Sequence, residues 1–112
     1  MAKFEKLVNG DFETIVRQLH TDIMQGGLSM NLVDESNYSS PEIRAVVRVY
    51  DKYFMRNGNR ASLNLTVVGT QDNIFVSAIG AGGGSGALFN FSLGAESEMA
   101  DLVADSLRKM GL

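Results

Sequence analysis

The stretch IRAVVRVYDKYFMRNGNRASLNLTVV, residues 43–68, decides the fold. Two runs that alternate apolar and polar residues flank Arg56-Asn57-Gly58, the pattern of an antiparallel hairpin. Ile43, Ala45, Val47 and Val49 fall on one face of the first strand, and Ala61, Leu63, Leu65 and Val67 on one face of the second. A two-residue Asn57-Gly58 loop pairs odd with even positions and splits these two sets. A three-residue loop with Gly58 in the left-handed position pairs Val49 with Leu65 and Val47 with Val67, so the apolar pattern favours it. Arg44, Val46, Arg48, Tyr50 and Lys52 then share the opposite face, with Val46 set against Val68.

Further strands are expected at 3–8, 28–33, 74–79 and 87–93, with 34–41 as a polar loop closed by Pro41. Two segments have helical period instead. In 11–25, Phe12, Ile15, Val16, Leu19 and Ile23 form one stripe behind the N-cap Asp11. In 97–110, Met99, Leu102, Val103, Leu107 and Met110 do so behind Ser97. Each amphipathic helix needs a surface to lie on. The expected architecture is α+β: an antiparallel sheet of five to six strands with both helices on one face, in the order β-α-β-β-β-β-β-α. Residues 1–112 are expected to form a single domain.

Composition narrows the function. The chain has 112 residues, a formal net charge of −3 and no cysteine. Thiolate nucleophiles, disulfides and cysteine-ligated metals are therefore excluded. The acidic balance argues against nucleic acid as a partner, since that binding runs on phosphate neutralisation. The N-terminal residues do not have the pattern of a signal peptide, and no apolar run is long enough to span a membrane, so a cytoplasmic location is expected.

The glycine run GAGGGSG, residues 80–86, follows a strand and fits a loose phosphate-loop pattern. A phosphate loop requires a helix to begin there, whereas Ala87, Phe89, Phe91 and Leu93 alternate as in a strand. The run reads better as a connection, or as a place where another backbone comes close. As a ligand-binding set we take Gly80, Gly82, Gly83, Gly84, Ser85 and Gly86, with Asp51 and Tyr53 bordering a pocket between the sheet and the C-terminal helix. His20, the lone histidine, borders the apolar stripe of the first helix. Asp34 and Glu35 read as solvated loop carboxylates. No catalytic residue, metal site or cofactor is assigned.

Three functions follow. The first is a non-catalytic assembly or binding module, a homodimer formed through Arg44, Val46, Arg48, Tyr50 and Val68. The second is a small-ligand binder using the glycine-bordered pocket. The third is an enzyme built on Asp51 and His20. The strands VRVYDKY and SLNLTVVG, the GDFE helix start and the closing helix resemble a small bacterial family of unknown function found mainly among Firmicutes. The resemblance covers nearly the whole chain. It implies one complete domain and transfers no functional residue.

Overall fold

A computed structural model describes residues 2–54, 58–82 and 94–112. The elements are β1 (Ala2–Val8), α1 (Phe12–Met24), β2 (Asn31–Ser39), β3 (Arg44–Phe54), β4 (Asn59–Gly69), β5 (Ile74–Gly82) and α2 (Ala95–Lys109). The five strands form one antiparallel sheet in the order β1-β5-β4-β3-β2. The architecture is α+β, in the order β-α-β-β-β-β-α. The strand expected at 87–93 lies outside the described residues.

Both helices sit on one face of the sheet. Ile15, Val16, Leu19 and Ile23 of α1, with Met99, Val103 and Leu107 of α2, pack on Val46, Tyr50, Leu63, Leu65, Val67, Val76 and Ala78. Asp11 caps α1 as expected, its carboxylate accepting from the Thr14 amide at 2.9 Å. In α2 the buried stripe runs back through Met99 to Ala95, so the helix starts at Ala95 behind Gly94 rather than at Ser97.

The β3–β4 register differs from the expected one. Val49 pairs with Asn64, Tyr50 with Leu63 and Val46 with Val67, while Val68 pairs with Ala45. Val46, Tyr50 and Phe54 therefore face the helices, and Ala45, Val47, Val49, Asp51 and Tyr53 face the open side. Gly58 does take a left-handed φ of 68°, and the last described pair is Phe54–Asn59; Arg56 and Asn57 of the expected three-residue loop lie outside the described residues.

The physical reason lies in the size of the side chains at stake. Burying Tyr50 and Phe54 removes more apolar area from water than burying Val47 and Val49. The three cations on the same side reach out past the core. Arg44 lies 4.7 Å from the Phe12 ring centroid and pairs with Glu13. Arg48 pairs with Glu35 at 3.0 Å. The Lys52 ammonium donates to the Gly26 carbonyl at 2.8 Å.

The polar segment from Asp34 onward is also strand, not loop. β2 is an edge strand, with a bulge between Leu32 and Asp34, and Ser40–Ile43 turns it into β3, the Ser40 amide donating to the Ile43 carbonyl at 2.8 Å. An edge strand needs only one hydrogen-bonded neighbour, and charges and bulges suit its free side. Among the described residues, no helix is long and apolar enough to cross a membrane.

Candidate functional site

β2 runs beyond the cover of the helix layer, so its helix-side residues and the flank of α1 become the walls of a cleft. Phe12, Glu13, Val16, Arg17 and His20 line it from α1; Asn37, Ser39, Arg44, Val46 and Arg48 line it from the sheet. Its volume is about 430 Å³, within the range of small-ligand sites.

Helical spacing puts Glu13, Arg17 and His20 on one flank, since residues three and four apart are neighbours. Strand period 2 puts Arg44, Val46 and Arg48 on one side of β3. Three guanidinium groups thus converge from two elements. Glu13 is bound to Arg44 and Glu35 to Arg48. Arg17 makes no hydrogen bond or ion pair with any described residue.

Behind the cleft wall, His20 makes a polar contact with the core. His20 Nδ1 lies 2.8 Å from the Tyr50 hydroxyl, with the two rings 5.8 Å apart. Tyr50 is fully buried. Burial pushes its phenol above the ordinary value of 10.0, and the nearby Arg48 opposes the shift. Tyr50 stays protonated over the physiological range and holds the imidazole by its Nδ1, leaving the Nε2 side to be used elsewhere.

The structure redistributes the residues singled out from sequence. Arg44, Val46, Arg48 and Tyr50 do not form an outer surface with Val68. All four face the helix layer, where Arg44, Val46 and Arg48 line the cleft and Tyr50 lies behind it against His20, while Val68 stands on the opposite face of the sheet. Asp51 and Tyr53 are on the open face, not under the C-terminal helix. Asp51 lies 3.5 Å from Arg60, and it borders a shallow depression of about 220 Å³ with Ser62, Ala81 and Gly82. His20 and Asp51 are therefore on opposite sides of the sheet and cannot share a reaction centre.

Gly80 is on the helix side. A Cβ there would come within 2.2 Å of the Glu96 carbonyl oxygen, so this glycine admits the first turn of α2. That is the close backbone approach expected of the run. Gly82 donates its amide to the Glu96 carboxylate at 3.2 Å. Gly83, Gly84, Ser85 and Gly86 lie outside the described residues.

Sequence reading missed Phe12, Glu13 and Arg17 as site residues. The spacing of Glu13, Arg17 and His20 was the available signal, but nothing in it says that β2 leaves this flank uncovered.

The model of the family of unknown function DUF6054 matches residues 1–111, and the chain belongs to that family. No curated protein matches it.

Proposed function

We propose that this member of DUF6054 binds a small organic anion, a carboxylate or a phosphate monoester with an apolar body, in the cleft between α1 and the β2–β3 edge. The observation that carries the reading is Arg17. It is a cation without a hydrogen-bond or ion-pair partner among the described residues, facing a cavity that already holds Arg44, Arg48 and His20. A guanidinium fork suits carboxylate and phosphate oxygens, and Arg48 is presented rigidly because Glu35 holds its Nε. Phe12, Val16 and Val46 supply apolar wall for the rest of the ligand.

The test is a titration of ¹⁵N-labelled protein with a panel of aliphatic and aromatic carboxylates and phosphate monoesters. Shifts should concentrate on Arg17, His20 and Arg48. Arg17→Ala should weaken binding roughly 10- to 100-fold, the worth of one charge-assisted hydrogen bond. If no panel member at about 10 mM, a weak-binding limit, moves these resonances, or if Arg17→Ala leaves the shifts unchanged, the reading fails.

A further inference from the structure

We propose that two copies of this chain associate through the open face of the sheet, about a two-fold axis that runs along β4. The register assembles an apolar row across all five strands on that face: Leu7 pairs with Phe75, Phe75 with Val68, Val68 with Ala45, and Ala45 with Tyr38. Leu7 is 58% exposed, Tyr38 63% and Phe75 37%. Such a continuous row on a monomer surface marks an interaction site.

Two rows away lies a second line, Lys3–Ile79–Asn64–Val49–Asp34, formed by the same pairings. A two-fold along the central strand lays β1 over the partner's β2 and β5 over its β3 while keeping each row on itself. Lys3 then meets Asp34 of the other copy, a pair of opposite charge. Phe75 meets the small Ala45, and Ile79 meets Val49. The alternative two-fold, across the strands, sets Tyr38 on Asp34 and Leu7 on Lys3, burying charge against apolar surface. Charge complementarity and side-chain size therefore choose one axis and one occupant, a second copy.

The area is adequate. Five strands about 4.8 Å apart and four rows about 6.8 Å apart give a planar footprint of roughly 650 Å², near the ~800 Å² of accessible surface per partner that a stable dimer covers. Edge-to-edge joining is disfavoured, because β2 carries Asp34, Glu35 and a bulge.

The test is sedimentation equilibrium of the full chain at roughly 10–100 μM, where a modest interface is occupied. The wild type should be a dimer. Val68→Arg places two like charges on the axis and should give a monomer with an unchanged far-UV circular dichroism spectrum. Lys3→Asp and Asp34→Lys should each weaken the dimer about tenfold or more, and an equimolar mixture of the two should restore it, since each then presents the charge the other needs. A wild-type monomer, a Val68→Arg dimer, or a mixture no tighter than either variant alone overturns the proposal.

Discussion

The Tyr50 hydroxyl and His20 Nδ1 are 2.8 Å apart, and this contact joins the core of the sheet to the wall of the cleft. Tyr50→Phe keeps the ring and removes the hydrogen bond. It should cost about 1 kcal/mol, read from the urea midpoint, whereas Tyr50→Ala should cost about 3–5 kcal/mol by opening a cavity. The titration difference at 295 nm between wild type and Tyr50→Phe should show a step above pH 10.0. Because burial raises the folded-state value above the unfolded one, the stabilisation from a neutral Tyr50 is complete below pH 10. It is lost as pH rises through the folded value.

Asp11 gives the opposite sign at low pH. Its carboxylate accepts from the side chain and the amide of Thr14, and these bonds hold it below the usual 3.8. The cap therefore stabilises the fold above pH 3.8, and that contribution is lost as pH falls through the depressed value. Asp11→Ala should be less stable than wild type at pH 7, with the gap narrowing as pH drops below 3.8. Thermal melts of both proteins from pH 7 to pH 2 check this.

Gly80→Ala should be among the most damaging single-methyl changes in the chain. The atom in the way is a backbone carbonyl in the first turn of α2, which cannot swing aside as a side-chain tip can. A loss of about 3 kcal/mol is expected, the upper end of overpacking costs. Urea unfolding measures it. A loss under about 0.5 kcal/mol, the size of an ordinary surface change, would show that α2 does not sit against β5 as described.

Ser106 and Asp22 should behave as a unit. The Ser106 hydroxyl is fully buried and donates to Asp22 Oδ2 at 2.5 Å, while Gln18 donates to the other oxygen at 3.0 Å. Asp22→Ala strands the hydroxyl between the helices and should cost about 2 kcal/mol. In Asp22→Ala/Ser106→Ala no buried hydroxyl is left behind, and the Gln18 amide that also donated to Asp22 is exposed to water. The double variant should therefore lose less than the sum of the two single losses, as a double-mutant cycle would show.

The two helices were legible in sequence because Ile15, Leu19 and Ile23, and Met99, Val103 and Leu107, recur at a spacing that only a helix brings to one side. The hairpin around Gly58 was legible for the same kind of reason. Its register was not. Parity sorted Arg44, Arg48 and Lys52 as an outward set and took Val46 and Tyr50 with them, but each cation finds an anion or carbonyl at the margin of the core. β2 was missed beyond Val33 because an edge strand with a half-uncovered face has little apolar alternation to show. The cleft was out of reach of any linear reading, since it exists only because α1 stops short of β2. Its residues, Arg17 and Arg48 above all, are ordinary surface arginines until the sheet order sets them opposite one another.

The contact between the Gly82 amide and the Glu96 carboxylate ties the chain leaving β5 to the chain entering α2. A charge-assisted hydrogen bond therefore pins the end of β5 to the first turn of α2.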